Sequence, residues 1–203
     1  MTAALTFMIS MTFSPGPNNI MSTTLGMMHG YRRTLPFIAG VVCGFAIIML
    51  IGAVTATLVL SAVPAIEPFV KYVGGAYILW LAWVTWSHRS DFGAGEDAPL
   101  TRSQGFPGGF ALQFANPKAV AYALVMYSTF LAGVTGDVAL TALSAVALAG
   151  VAFLATSTWA LAGSGIRGWL KTERQRTIAA GVLVAALVYT AAELVGLPAL
   201  VFG

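Results

Sequence analysis

Two short stretches carry the residue types that could do chemistry in this chain. Ser14-Pro15-Gly16-Pro17-Asn18-Asn19 interrupts an apolar run over about 2–28, and Asn116-Pro117-Lys118 interrupts a second run over about 108–132. Proline removes a helical N–H and clashes with the preceding turn, and glycine adds chain entropy, so both stretches should break a helix. Inside a bilayer, broken backbone is tolerated only where it lines a cavity or is buried in protein. A matched pair of such breaks in two halves of a chain points to a transporter's substrate site. Ser14 before Pro15, and Asn116 before Pro117, each read as an N-cap with proline at the first helical position. Each break would then open a half-helix whose free N–H groups and positive dipole end attract an anion such as a carboxylate.

Lys118 lies ten residues into its run counted from Gly108. That is ~15 Å along a helix, near the middle of a ~30 Å hydrocarbon core. A lysine there costs about 3 kcal/mol and marks a functional site by default. No acid sits near the centre of any apolar run to neutralise it; Glu67, Asp137 and Glu193 fall near run ends. Lys118 therefore suits a ligand's carboxylate, the alternative being that it snorkels to an interface or bonds carbonyls freed by Pro117. Asn18, Asn19, Gln113 and Asn116 add uncharged donors and acceptors for an ammonium or hydroxyl group. Their plainer role is to bond the broken backbone, Asn116 as a cap foremost. Tyr77 and Tyr122 are candidates for the wall or for packing. The substrate site read from the sequence is thus Ser14, Pro15, Gly16, Pro17, Asn18, Asn19, Tyr77, Gln113, Asn116, Pro117 and Lys118, with no catalytic residue and no metal ligand.

These residues need a membrane domain to hold them. Of 203 residues, 58% are hydrophobic and only 8% charged, against about 25% charged in a soluble domain. Mean hydropathy is +0.85. The length admits one all-α transmembrane domain, 1–203, of about six spans of roughly 20 residues each, and no separate enzyme domain. Spans are expected over about 2–28, 36–60, 69–86, 108–132, 137–162 and 177–195. Between them the sequence reads as a basic loop at 29–33, a turn at 61–68, a flexible linker over 87–107 and a loop over 163–176. Tyr77, Trp80, Trp83 and Trp86 recur at helical spacing, which reads as core packing with an interfacial belt at Trp86. Gly40 with Gly44, and Gly74-Gly75-Ala76, offer faces for close helix contact.

Basic residues fall on alternate loops: Arg32 and Arg33, then Arg89 and Arg102, then Arg167, Lys171, Arg174 and Arg176. The other loops hold only Lys71. The basic loops should face the cytoplasm and both termini the outside. Halves 1–86 and 108–203 then run in opposite senses, as two inverted three-helix repeats with the first and fourth spans broken at proline. The N-terminal run lacks the basic n-region of a signal peptide.

Other function classes fit poorly. The pI of 9.2 is accounted for by those loops, and no arginine cluster interleaved with aromatics speaks for nucleic acid. Cys43 is the sole cysteine, which excludes an intrachain disulfide, a redox Cys pair and a thiolate metal site. A membrane redox relay would need two thiols. A metal-ion exporter would want Asp, Glu or His ligands within the spans. A non-transporting assembly protein remains as an alternative, in which two breaks and a buried lysine would serve no purpose. No cofactor is implied.

At these residues the chain resembles the LysE/RhtB family of bacterial amino-acid exporters. The resemblance rests on Ser14-Pro15-Gly16-Pro17-Asn18-Asn19, on Gly30, Gly40 and Gly75-Ala76-Tyr77, and on Gly109-Phe110 through Asn116-Pro117-Lys118, and it covers nearly the whole chain. Ala111-Leu112-Gln113-Phe114 places it nearest the branch exporting cysteine and O-acetylserine. The resemblance implies a multi-pass antiporter of the bacterial inner membrane. It would export small neutral amino acids or derivatives, of the cysteine, O-acetylserine, homoserine or threonine kind, against protons, and is compatible with a homodimer. Export of another small metabolite is the alternative. The chain departs from the family pattern in a short lead before the first proline, in Ala82 where glycine is common, and in having no membrane-centred acid to carry a proton. The scarcity of acids also argues against lysine or arginine as cargo.

Overall fold

The computed structural model describes residues 2–55, 63–93 and 101–195, with side chains at all of these but 63–71, 73, 193 and 194. Glu96 and Asp97, and the side chains of Glu67, Lys71 and Glu193, therefore lie outside the described residues. The described residues form eight α-helices and no strand: α1 Thr2–Phe13, α2 Pro17–His29, α3 Tyr31–Thr55, α4 Val63–Ser87, α5 Phe106–Phe114, α6 Pro117–Val125, α7 Val138–Arg167 and α8 Glu173–Val195. Among them α3, α7 and the stretch Glu173–Ala192 of α8 are long and apolar enough to cross a membrane. The first and fourth expected spans are instead pairs of short helices, of 12 and 13 residues and of 9 and 9 residues, because the proline breaks divide them.

Several element ends differ from the sequence reading, mostly because hydropathy marks the membrane rather than the helix. The stretch 29–33 is not a loop. His29 ends α2, and Tyr31, Arg32 and Arg33 form the first turn of α3. Only Gly30 separates the helices, at φ 77°, a left-handed conformation that a side chain would strain. Helix α4 starts at Val63, so the expected turn at 61–68 is helical from 63 on, and Pro64 falls in a first turn where its missing N–H costs nothing. Charged ends likewise carry α7 on to Arg167 and start α8 at Glu173.

The described parts of 87–107 hold two single turns of 3-10 helix, Arg89–Asp91 and Arg102–Gln104, and Phe92 and Gln104 are buried. Thr101 and Gln104 form a reciprocal capping box. The Gly93 N–H donates to the Met27 carbonyl at 3.1 Å, which fastens this stretch to the end of α2.

Arg33, Arg167 and Arg176 gather at one end of the bundle, the first two around His29. Arg176 donates to the Ser90 and Leu170 carbonyls at 2.9 and 3.1 Å. The Tyr31 N–H reaches Ser164 Oγ at 3.3 Å. Just inside this basic end the two halves of the chain meet along two reciprocal glycine seams. A Cβ at Gly26 of α2 would overlap the Ala160 carbonyl of α7, and one at Gly163 of α7 would overlap the Thr23 carbonyl of α2. A Cβ at Gly40 of α3 would overlap the Phe106 carbonyl of α5, and one at Gly109 would overlap the Phe37 carbonyl. Backbones this close gain dispersion contact that no larger residue permits. The far end is held differently. No residue of α1 is buried. It leans on the bundle through Phe7, whose ring lies 5.6 Å from both Tyr122 and Phe130.

Candidate functional site

The two breaks lie side by side, and they are built differently. At the second, Asn116 is the N-cap of α6, its Oδ1 accepting from the Lys118 N–H at 3.1 Å, with Pro117 in the first turn. The cap is the one the sequence indicates. At the first, Gly16 rather than Ser14 is the N-cap, and Pro17 rather than Pro15 opens α2. The residue before a proline is pushed out of the helical region. Gly16 is accordingly extended, at φ −176° and ψ 170°, so no helix can run from Pro15 through Pro17. No side chain caps α2. Of the two half-helix starts at the breaks, α6 already has a side-chain acceptor and α2 does not.

Ser14 belongs to the end of α1, and there the last carbonyls are each accounted for. The Ser14 hydroxyl donates to the Met11 carbonyl at 3.2 Å. Asn19 Nδ2 donates to the Thr12 and Ser14 carbonyls at 3.0 and 2.9 Å. Trp159 Nε1, from α7, donates to the Phe13 carbonyl at 3.1 Å. Lys118 Nζ reaches across from α6 to Ser14, at 2.7 Å to Oγ and 3.2 Å to the carbonyl. A helix end away from water must satisfy these groups or lose roughly 1–3 kcal/mol for each. Lys118 thus ties the second break to the first. Gly16 leaves it room, since a Cβ there would stand 3.3 Å from Nζ. Asn19 serves the backbone, the plainer of its two expected roles. Trp159→Phe should leave the Phe13 carbonyl without a donor and lower the thermal midpoint in detergent by about 5 °C, a loss of ~1–2 kcal/mol; an unchanged midpoint would mean that water serves as well.

Between the breaks lies a cavity of about 40 Å³. That is room for a few waters and less than an amino acid requires. Its polar wall consists of Thr12, Asn18, Asn19, Gln113, Asn116, Lys118 and Thr156 with Tyr122; Met11, Val41, Phe45, Ala119 and Ala152 are apolar, and Gly16 completes it. Asn18 Nδ2 donates to Gln113 Oε1 at 2.7 Å, joining the first half to the second. Three buried atoms of this wall have no hydrogen-bond partner of good geometry: Asn18 Oδ1, Gln113 Nε2 and the Tyr122 hydroxyl, which has the Thr12 side chain beside it. Turning both amides over would exchange the roles but still leave one acceptor and one donor. Such groups are costly to leave unmatched in a dry site, so they are matched when something polar enters.

Of the residues singled out in the sequence, Gly16, Asn18, Asn19, Gln113, Asn116 and Lys118 come together here, with Ser14 held by Lys118. Pro15 is exposed, and Pro17 is buried at the start of α2, outside the lining. Tyr77 stands apart. Its ring lies 5.4 Å from Trp80, and it packs against a core cluster drawn from α2, α3, α4, α5 and α8, outside the cavity lining. Tyr122, the other tyrosine considered, is in the wall, its ring 5.5 Å from Phe45. Thr12 and Thr156 were not expected. Thr156 bonds its own helix at the Ala152 carbonyl, 2.7 Å away, as any threonine in an apolar helix does. Nothing local in the sequence marks it.

Residues 9–197 match the family described as LysE type translocator. The chain is 34% identical over 195 residues to the cysteine/O-acetylserine efflux protein of Klebsiella pneumoniae, covering 96% of each. It is 34% identical over 164 residues to the protein of that name from Salmonella choleraesuis and 32% identical over 163 residues to one from Escherichia coli, covering 80% of this chain and 82% of each relative. No solved structure matches it.

Proposed function

Because this chain belongs to the LysE type translocator family, we propose that it is an inner-membrane exporter of small neutral amino acids of the cysteine or O-acetylserine kind, driven by protons. The observation that carries the reading is the cavity between the breaks, with an unmatched acceptor, donor and hydroxyl in its wall. An α-amino acid offers the complement. Its ammonium suits Asn18 Oδ1 and Tyr122, and its carboxylate suits Gln113 Nε2 and the uncapped first turn of α2. Lys118 supplies positive charge on the same side while it holds Ser14. The apolar wall of Phe45, Val41 and Ala152 leaves a short uncharged side chain as the cargo's remainder, and no acid is present in the lining to pair with a lysine or arginine cargo.

In this reading the basic end faces the cytoplasm. The two halves act as inverted repeats, with α1–α2, α3 and α4 matched to α5–α6, α7 and α8. The glycine seams shut the cytoplasmic side, while α1, without buried residues, is the element free to move at the outer side. Export proceeds by parting the seams to admit cargo, closing them, and releasing cargo past α1.

Inside-out vesicles provide the test. Labelled cysteine, O-acetylserine, homoserine and threonine are offered with and without an acidic lumen. Uptake of at least one should rise with the gradient. Lys118→Ala, which cuts the tie between the breaks, should reduce counterflow by at least about tenfold. Unchanged counterflow in Lys118→Ala would remove the breaks from the transport site, and no uptake of any amino acid under any gradient would overturn the exporter reading.

A further inference from the structure

The cavity accounts for one end of α2 and leaves the other unexplained. His29 closes α2 at the basic end. It is 2% exposed, and neither ring nitrogen has a hydrogen-bond partner of good geometry, although the Gln104 side chain stands close enough to interact with it. Its surroundings are charged. Arg33 from α3, Arg167 from α7 and Asp91 from the turn after α4 act on it, and Gln104 from the turn before α5 stands beside it. Arg33 itself has a buried guanidinium nitrogen without a partner. On the same face of α2, between the cavity and His29, Ser22 is fully buried and its hydroxyl is also unmatched. Asn18, Ser22 and His29 are four and seven residues apart, a spacing that aligns them along one side of a helix. The seam between Gly26 and Gly163 lies one turn before His29.

We propose that His29 is the proton-carrying residue of the transport cycle, and that taking up a proton there opens the glycine seam at the basic end. The proposal rests on the exporter reading and names the group through which protons would drive it. A proton arriving along the Asn18–Ser22 face binds the lone pair of one ring nitrogen and converts neutral imidazole to imidazolium. This adds a cation to a packed site that already holds Arg33 and Arg167, with Asp91 as the acid beside them. A buried cation so placed is far more costly than the neutral ring. Water relieves it, and water enters when α2 parts from α7. In the open seam the imidazolium faces the cytoplasm and its proton passes to water. The neutral ring can then be reburied over bound cargo. One proton moves inward as one substrate moves outward, and nothing is oxidised or reduced. Histidine suits this task because its ordinary titration lies within the physiological range, and no acid falls near the centre of the spans expected from the sequence to serve instead.

The test compares wild type, His29→Asn and His29→Gln in liposomes. Two modes are read with labelled cysteine: accumulation driven by a pH gradient, and exchange with no gradient. Both variants should lose accumulation by about tenfold or more, and their exchange should no longer rise as the pH on both sides falls from about 8 to 6, as it does in wild type. A third reading needs no transport. Ser164, whose hydroxyl accepts from the Tyr31 N–H beside the seam, is replaced by cysteine in a Cys43→Ser background and labelled with an impermeant maleimide. Labelling should rise severalfold between about pH 8 and pH 6 in otherwise wild-type protein and stay flat with His29→Asn. Accumulation at the wild-type level in both variants overturns the proposal, as does labelling that keeps its pH dependence without His29. Exchange that keeps its pH dependence in both folded variants overturns it too, since the proton would then act elsewhere. If wild type moves no amino acid in either mode, the exporter reading has failed, and the labelling alone decides whether His29 governs the seam.

Discussion

Gly163→Ala should all but stop transport, lowering counterflow by about a hundredfold, and Gly26→Ala should do the same. In each case the new methyl overlaps a backbone carbonyl of the facing helix, Thr23 or Ala160. A crowded side chain can rotate away, but a carbonyl in a helix moves only with its helix. Overpacking a core costs ~1–3 kcal/mol where neighbours yield. The upper end applies here, and ~3 kcal/mol biases a two-state equilibrium by about a hundredfold. The bias falls on the state in which the seam is closed. The matched controls are Gly150 in α7 and Gly181 in α8, where a Cβ meets nothing within 4 Å. Alanine there should leave counterflow within about twofold, and it makes a better helix former by up to ~1 kcal/mol. Wild-type counterflow in Gly163→Ala would mean that the seam need not close during transport.

The second large effect is expected at Gln113, which is fully buried. Gln113→Leu keeps roughly the volume and removes both the acceptor for Asn18 and the unmatched donor. Asn18 then has no side-chain partner here, at a cost of ~1–3 kcal/mol, and the cargo loses a carboxylate donor. Counterflow should fall by about a hundredfold, with a lower thermal midpoint. Gln113→Glu separates the two losses. Its carboxylate still accepts from Asn18 and has Lys118 in the same wall, but it repels the cargo's carboxylate, so the midpoint should fall less than in Gln113→Leu while stabilisation by added cysteine disappears. A Gln113→Glu protein still stabilised by cysteine to within about threefold in concentration would place the carboxylate elsewhere.

How far the sequence reveals such a site depends on how local each interaction is. Asn116 and Pro117 were readable because a cap and its proline act within one turn. Ser14 was misread because two prolines compete, and the second forbids a helix through Gly16. That the breaks leave carbonyls without partners is also readable. Which side chains reach them is not, because Trp159 and Lys118 arrive from helices far along the chain, and only the packed fold brings them near. The same holds for the two tyrosines. Tyr77 and Tyr122 occupy similar apolar helices, and only the crossing of α3, α6 and α7 decides that Tyr122 borders the cavity. The glycines at 26 and 163 are single residues in long runs, each meaningless without the carbonyl opposite.

The distance in sequence between the end of α1 and its partners has a consequence for how the protein is made. Lys118 lies 104 residues beyond Ser14, and Trp159 lies 146 residues beyond Phe13. A ribosome adding about 5–20 residues per second needs roughly 7–30 s to supply the tryptophan. Throughout that interval the Phe13 carbonyl lacks the donor that serves it in the fold, while Thr12 and Ser14 have only Asn19. Hydrocarbon offers none. The opening segment therefore gains its last backbone partner only once the second half has been synthesised, and the first break is completed after the helices that follow it.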